Sequence, residues 1–571
     1  MTAATFAAIL LLKCRELHRA IFVWGGTDIG LGGQYWERDH NVKHGESSRR
    51  PAVLEVLESR LLLSTGPISI SDVAGVGVDA KSLVYSDTDG TVVTVALKCG
   101  QAEVDLGAAA WTVDRGVARV TGPATMNSIT LSQTTLAKSK LTITTAKPRG
   151  LPDADNFTTL GSIQGTAVKE IAANHVDLLG GLLSDGLTHG GVDVAGISTL
   201  KLRDVSDAAT LALHGAAQDK LVFSAGAVGN TNLSFNGTIT SLGVVSWGDG
   251  TVSASSVGKL TAYGDFGADV IASGGIGSVT VTGGDLLGSL GSLTDPSGPI
   301  GSITVKAVYS WFKEPEGGGW GELVGGNIFS SLIQAAVPLL SRAGAKAIGS
   351  VSVTGGSIGQ SDARVNFQAQ PRGDMGTIST KGVKYKSGSF PGEGTWYGFD
   401  NSDLYADVTV TGKLGNVTVS GGDAQASFDV GSAGNFVITG TAHTQEGETE
   451  YLGGSFAGTI ISDAAIGNIS GTGGDMDLHL TAPNKIGSIT QTAVTVAAKK
   501  VSMQGETWYS EGYASGTQLT VEVTMTGTSV LGKILGKGAD VAVTGTVNVP
   551  QVNVQIFLNT NVTSKLDFCH F

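Results

Sequence analysis

The chain of 571 residues has little cysteine, little proline and little charge. Its three cysteines, Cys14, Cys99 and Cys569, are far apart and form no Cys-x-x-Cys unit, so neither a disulfide framework nor a clustered zinc site follows. Proline, at 13 residues, is too scarce for collagen, which also needs a strict glycine at every third position. Charged residues make up only 15% and hydrophobic residues 41%, a composition that excludes a disordered chain.

Further absences narrow the classes of function. No apolar run reaches the roughly 18–20 residues that a transmembrane helix needs. The net charge of −13 argues against nucleic acid and anionic membranes as partners, because phosphate binding needs clustered lysine and arginine. The zinc-protease motif His-Glu-x-x-His and the phosphate-binding P-loop are both missing. The sequence therefore carries no direct sign of these enzyme classes.

What the chain does contain is abundant glycine, 84 residues, and one short phrase that returns many times. The phrase is an apolar residue, glycine, a small polar residue, alternating β-branched and hydroxyl residues, and often two glycines. Complete copies are residues 276–284 (IGSVTVTGG), 348–356 (IGSVSVTGG) and 414–422 (LGNVTVSGG). Degenerate repetition of one strand-like unit is typical of a fold built from stacked turns of chain.

The spacing of the phrase predicts the architecture. Its glycines are 19 residues apart between Gly258 and Gly277, and 24 apart between Gly277 and Gly301. A three-sided winding with strands of about five residues plus corners needs a similar length. We therefore predict an all-β fold with a right-handed parallel β-helix, or solenoid, over residues 151–550. Antiparallel sandwiches are the alternative, but they would show a strand every 8–12 residues or so. Three valines are expected to stack in one shared core: Val281, Val353 and Val419.

Residues 67–150 lack the phrase and are predicted to form an antiparallel β module that caps the β-helix. Within residues 81–97 the turn signal Asp-Thr-Asp-Gly separates two strand segments and predicts a hairpin. A second hairpin is predicted within residues 128–145. A cap is expected because the end of a stack exposes apolar interior and unpaired backbone groups.

Residues 1–66 differ from the body and are interpreted as a leader or sorting region, while residues 551–571 are interpreted as a C-terminal strand or tail. The leader contains the string Leu57-Glu58-Ser59-Arg60-Leu61-Leu62-Leu63. An amphipathic helix is the plain interpretation of this stretch. The string also resembles the LEPR-XLL segment near the start of large exported planctomycete proteins, with Ser59 where that pattern has proline. The resemblance implies an exported or surface-attached protein with a repetitive β body, and it implies no activity.

Four insertions interrupt the phrase and are rich in aromatic residues, near 308–346, 381–407, 441–453 and 504–516. We interpret them as hairpins in a row at one corner of the β-helix, and we predict a short helix at 328–340. Flat rings beside carboxylates suit the faces and hydroxyls of sugars. The alternative is that the rings only pack the hairpins onto the flank. The candidate ligand-binding residues are Trp320, Trp396, Tyr397, Tyr451, Trp508, Tyr509, Glu393, Glu448 and Glu506.

Another set of candidates consists of aspartates that follow a Gly-Gly pair: Asp285, Asp423 and Asp475. Carboxylates stacked on neighbouring windings would repel one another and could recruit calcium (Ca2+), the one cofactor that the sequence suggests. Against this, the nine-residue calcium-binding repeat is absent, and aspartate after Gly-Gly is ordinarily a turn residue. His189 with Asp185 and Asp193 forms the other polar cluster, for which a solvated loop is favoured over a site.

Two classes of function remain open. The favoured one is a non-catalytic structural or adhesive β-solenoid, secreted or on the cell surface, whose partner is a polysaccharide or a cell-envelope component. The alternative is a polysaccharide lyase or glycoside hydrolase on the same scaffold. Fold does not imply activity, and glycoside cleavage needs two carboxylates about 5–10 Å apart, which a sequence cannot display.

Overall fold

The computed structural model describes residues 64–72, 77–180, 190–291, 298–314, 318–338, 341–371, 373–390, 394–445, 448–496, 499–503, 506–510, 513–526, 530–548 and 556–558. These residues are all-β: they form 51 strands and no helix. One large, mostly parallel sheet contains 41 of the strands. Within these ranges no helical segment has the length and apolarity needed to cross a bilayer. The LEPR-XLL-like string, His189, Asp185 and Glu393 lie outside the described residues.

The strands are numbered in chain order. Strands β1 to β9 are Ser64–Thr65, Ile68–Ile70, Ser82–Ser86, Val92–Lys98, Gln101–Asp105, Ala110–Asp114, Val117–Pro123, Met126–Ser132 and Lys140–Ala146. Strands β10 to β22 are Thr158–Gly165, Val168–Leu178, Gly191–Val194, Ile197–Val205, Thr210–Leu213, Lys220–Ser224, Ala227–Val228, Asn232–Val244, Ser246–Trp247, Thr251–Ala262, Asp269–Ala272, Ile276–Thr282 and Ile300–Lys306. Strands β23 to β36 are Val308–Lys313, Gly319–Val324, Leu332–Ala335, Lys346–Thr354, Val365–Ala369, Asp374–Lys381, Val383–Phe390, Gly394–Asp400, Leu404–Leu414, Val417–Ser420, Ala424–Ala433, Phe436–Thr439, Thr441–Gln445 and Glu448–Leu452. Strands β37 to β51 are Phe456–Ser462, Ala465–Ile466, Ile469–Thr472, Met476–Ala482, Lys485–Ile486, Ile489–Thr492, Val494–Val496, Lys499–Met503, Glu506–Ser510, Tyr513–Ser515, Gln518–Thr526, Val530–Leu531, Ile534–Lys537, Asp540–Asn548 and Ile556–Leu558.

Strands β1 to β9 pair mainly antiparallel. The hairpin predicted within residues 81–97 is confirmed, because β3 and β4 pair antiparallel with Leu83 opposite Val95. The second predicted hairpin is wrong: β8 pairs with β5, and β9 pairs with β4 over seven residues. The partner strands β5 and β4 are distant in sequence from β8 and β9, so local turn signals could not indicate these pairings. Apart from the parallel pair β3 and β7, parallel pairing begins where β8 meets β10 and β9 meets β11.

From β10 onward, the strands of the large sheet pair in parallel with strands about one interval of the phrase later in the chain, and we call the segment that covers one such interval a winding. Apolar side chains at equivalent positions then form continuous buried columns. One column is Leu141, Ile171, Leu200, Phe223, Leu242, Leu260, Val279, Ile303, Val351, Ile378, Val417, Phe436, Ile469, Ile489 and Ile534. Val281, Val353 and Val419 share the neighbouring ladder position, and all three are fully buried. Burial of this aliphatic surface, at roughly 25 cal/mol per Å², is the main stabilising term.

The glycines of the phrase are required for space. A Cβ at Gly277 would meet the carbonyl oxygen of Gly258, and a Cβ at Gly301 would meet that of Gly277. The Gly-Gly pair serves two needs: Gly283 has a φ of +73°, which favours glycine, and a Cβ at Gly284 would strike the backbone of the preceding winding. The repeated glycines therefore mark where the backbone of one winding meets the next.

The short helix predicted at residues 328–340 is wrong. The segment contains β25, which pairs in parallel with β27. Ile328 and Ile333 are fully buried and continue two of the apolar columns, beneath Leu286 and Leu290. An apolar run of this length is ambiguous between helix and strand, and here the parallel neighbours decide for strand.

Candidate functional site

The aromatic insertions all leave the large sheet at the same edge. The first strand of each insertion begins two residues after a strand of the large sheet ends, and these ends all occupy the same ladder position. The last residues of the four strands are Lys306, Lys381, Thr439 and Thr492. The fourth insertion therefore begins with β43, at Val494, earlier than the predicted boundary near 504. The prediction of one corner for all four insertions agrees with this geometry.

The first two insertions form a single four-stranded antiparallel sheet, in the order β23-β24-β29-β30. Strands β24 and β29, from different insertions, pair through Gly319 with Ser389 and Trp320 with Gly388. The sequence predicted separate hairpins. The two insertions can pair because they leave the large sheet only two windings apart. This distance depends on how the windings stack, which the sequence does not show.

One surface of this sheet carries a row of exposed rings, which we call the aromatic face. Phe312 lies opposite Trp320, Trp320 opposite Gly388, and Gly388 opposite Trp396, so these four residues point to one side. The Phe312 and Trp320 rings are stacked, with centroids 4.3 Å apart. Phe312, Trp320 and Trp396 are 43%, 42% and 40% exposed. The candidates Trp320 and Trp396 thus share one open surface.

The opposite surface combines rings with cations, and we call it the lysine face. Its central members are Trp311, Tyr397, Lys384 and Lys386, which alternate with the residues of the aromatic face. The Lys386 Nζ lies 4.3 Å from the centre of the Trp311 ring, and the Lys384 Nζ lies 4.6 Å from that of Tyr397. The candidate Tyr397 is therefore separated from its chain neighbour Trp396 by the thickness of the sheet.

Two carboxylates accompany the aromatic face. Glu322 and Asp400 lie on that side of the sheet, together with Tyr385. Burial, with a further contribution from the Asp403 carboxylate, raises the pKa of Asp400 to about 6. Burial and the charges of Asp400 and Glu322 raise the pKa of the Tyr385 hydroxyl. The sheet thus carries, on the same side as the exposed rings, a carboxyl group whose pKa is raised to about 6.

The third insertion uses its rings for packing. A Cβ at Gly473 or at Gly440 would meet the ring of Tyr451, so this ring lies directly on the backbone of the body. The backbone N–H of Tyr451 also donates to the hydroxyl of Tyr513, 2.6 Å away, which links the third insertion to the fourth. The structure therefore places the candidate Tyr451 in the interface between the hairpins and the large sheet.

The fourth insertion is a hairpin in which β44 pairs with β45. Trp508 lies opposite Val501 and Tyr509 opposite Lys500 along the backbone. The side chains of Trp508, Tyr509, Glu506 and Glu448 lie outside the described part of the structure, as does Glu393. These candidates remain predictions from the sequence.

The aspartates after Gly-Gly belong to a column of corner residues whose side-chain oxygens accept backbone N–H groups of the next winding. Asp265 Oδ1 accepts from Asp285, Asp285 Oδ1 from Asn327, and Asp423 Oδ1 from Ser455, at 2.8–2.9 Å. The full series is Asp265, Asp285, Asn327, Ser357, Asp403, Asp423 and Ser455, followed by the separate pair Asp475 and Gln518. Burial raises the pKa of Asp285. The geometry gives these aspartates a capping role at the corner.

Ser357 in this column has the spacing Gly-x-Ser-x-Gly, at residues 355–359, which on a strand-to-helix turn marks a serine nucleophile. Here no helix follows. The Ser357 Oγ accepts the N–H of Asp403 at 3.0 Å and donates to the carbonyl of Asn401 at 3.4 Å. The serine is therefore engaged in the backbone of the corner.

A second column explains the small polar residue of the phrase, a role that the sequence did not indicate. Asn416 Oδ1 accepts the N–H of Asn435, Asn435 Oδ1 that of Asn468, and Asn468 Oδ1 that of Ser488, at 2.9–3.0 Å. Each residue directly follows a phrase glycine. The position after the glycine was a signal that the sequence offered for this role. The sequence could not show the hydrogen-bond partner, because the partner lies in another winding.

The described residues contain no cluster of three or more histidine, cysteine, aspartate or glutamate side chains placed to hold a metal ion. Of the predicted histidine cluster only Asp193 is described, and its Oδ1 lies 3.1 Å from Nε2 of His214 on a neighbouring winding. Both side chains are largely exposed. Comparison of the chain with protein-family models, with curated proteins and with solved structures gave no significant match.

Proposed function

We propose that the protein is a structural or adhesive β-solenoid, exported or held at the cell surface, that binds glycans through the aromatic face. In this proposal the large sheet winds as a right-handed parallel β-helix. The three-sided spacing of the phrase and the parallel columns support the winding, and parallel crossovers are right-handed in nearly all proteins. The LEPR-XLL-like string supports export.

The aromatic face is the observation that carries the glycan proposal. Phe312, Trp320 and Trp396 lie on three of four adjacent strands, and strands are about 4.8 Å apart. The row therefore extends over about 14 Å, which is longer than one sugar ring. The apolar faces of sugars stack on such rings, and Glu322 and Asp400 supply acceptors for hydroxyl groups.

The test is affinity electrophoresis of the full chain through gels that contain neutral polysaccharides such as dextran, xylan or glucomannan. Retardation by at least one of them is expected for the unmodified protein. The double variant Trp320→Ala with Trp396→Ala should lose it. Tyr263→Ala removes a ring on the body that is 67% exposed, and this control should migrate like the unmodified protein. Equal retardation of the double variant would refute the role of the aromatic face.

The second candidate function is a carbohydrate-active enzyme, and one observation favours it. A carboxyl group with a pKa near the working pH can act as a general acid, and Asp400 has a pKa raised to about 6 beside the aromatic face. Glycoside cleavage needs a second carboxylate, however, and the neighbouring Asp403 accepts the N–H of Asp423 at 2.8 Å as a member of the corner column. Incubation with pectin, alginate and sulfated polysaccharides tests this candidate through release of products.

A further inference from the structure

We propose that the lysine face selects acidic polysaccharides, that is, glycan chains with carboxylate or sulfate groups. This inference rests on the proposed function, because it assumes that the four-stranded sheet binds glycans. It adds the charge of the ligand and assigns it to the other surface of the sheet.

The first argument is the separation of charge between the two surfaces. The cross-strand pairs place Lys313, Lys384 and Lys386 on the lysine face, and they place Glu322 and Asp400 on the aromatic face. No acidic residue among those described in this sheet lies on the lysine face. The chain as a whole has 50 acidic against 37 basic residues, so this surface departs from the balance of the molecule.

The second argument is the contact between rings and ammonium groups. Lys386 lies over Trp311 and Lys384 lies over Tyr397, so each cation is held beside a flat ring. The two rings remain 37% and 41% exposed. An ammonium group has three N–H donors, and the ring beneath it occupies only one side. A sugar with a carboxylate or sulfate can therefore stack on the ring and accept hydrogen bonds from the lysine.

The third argument concerns the choice among polyanions. The net charge of −13 repels a stiff duplex that must approach a wide area of the protein. Repulsion from charges more than about 8 Å away is largely screened at physiological salt, so a single flexible glycan chain that contacts only this sheet avoids most of it. The occupant that fits best is therefore an acidic glycan rather than nucleic acid.

The experiment uses the full chain in affinity electrophoresis with alginate, chondroitin sulfate, dextran and duplex DNA as separate probes. The unmodified protein should be retarded by alginate or chondroitin sulfate, and this retardation should fall as salt is raised. The double variant Lys384→Gln with Lys386→Gln should bind these probes at least tenfold more weakly. The matched control, Lys220→Gln with Lys259→Gln, alters two exposed lysines of the body and should bind as the unmodified protein does.

The outcomes separate the two proposals. If dextran or another neutral glycan is bound through Trp320 and Trp396 while both acidic glycans are ignored, the charge inference is wrong and the proposed function stands. If no glycan of either kind is retained, both are wrong. If duplex DNA competes as well as alginate, or if both lysine pairs weaken binding equally, the surface is a general polyanion binder and the inference is overturned.

Discussion

The carbonyl oxygen of Gly349 occupies the space in which a side chain at Gly376 would place its Cβ. The same relationship holds between Gly301 and Gly349, one winding earlier. These glycines are not in the left-handed region of φ, so glycine is needed here because there is no room for a side chain and not because of the backbone conformation. The phrase repeats because each winding must leave this space open for the next.

Replacement of a phrase glycine should therefore be strongly destabilising. We expect Gly349→Ala or Gly376→Ala to cost at least ~2 kcal/mol or to prevent folding, because the obstructing atoms are backbone and cannot move aside. The matched control is Gly243→Ala, where an added Cβ meets no atom within 4 Å. This variant should stay within ~0.5 kcal/mol of the unmodified protein. Denaturant unfolding followed by circular dichroism measures the difference, and equal stability of Gly349→Ala and Gly243→Ala would contradict the spatial explanation.

The corner column predicts a different pattern at Asp285. Asp285→Ala removes the acceptor of both the backbone N–H and the side-chain Nδ2 of Asn327, and we expect a loss of ~1–3 kcal/mol. Asp285→Asn keeps an acceptor oxygen in the same position and should retain most of the stability. Thermal unfolding of the three proteins provides the comparison.

The same measurement tests the calcium hypothesis. If the aspartates act as corner caps, the melting temperature should be unchanged by added calcium or by a chelator. A rise in melting temperature with calcium that is lost in Asp285→Asn would instead show that the carboxylate charge binds the ion.

The stability of the four-stranded sheet should depend on pH through Asp400. Its pKa is raised from the ordinary value of 3.8 to about 6, so between these values the folded state holds the proton more tightly than the unfolded state does. Asp400 therefore lowers stability as pH rises through this window, with the full effect above about pH 6. Asp400→Asn should raise the melting temperature at pH 7.5 and leave it nearly unchanged at pH 4. Asp362→Asn, in an exposed turn, is the control; a similar pH dependence in both variants would contradict the assignment.

A scaffold that binds glycans without cleaving them should release no products from pectin, alginate or sulfated polysaccharides. Reducing ends and unsaturated products detect hydrolysis and elimination separately. Reproducible release that is abolished in Asp400→Asn, with binding retained, would replace the adhesive proposal with the enzyme.

Much of the fold could be predicted from the sequence because the phrase contains the geometry of a single strand and its corner. Alternation of valine and threonine in residues 276–284 fixed which side chains point inward, and Val281 is fully buried as expected. The hairpin within residues 81–97 followed from a local turn signal. The second hairpin and the short helix at 328–340 were mistaken because the partners of those segments are distant in the chain.

The candidate site, like the fold, could be predicted from the sequence only in part. The gathering of aromatic residues in insertions and the recurrence of glycine and small polar residues at regular positions could be predicted, because both are properties of local composition and spacing. Three other features emerged from the folded chain alone: two insertions join in one sheet, Trp396 and Tyr397 face opposite sides of it, and Asp285 caps the next winding. These relationships depend on which windings are neighbours and on cross-strand register, and both are set by packing between segments tens of residues apart.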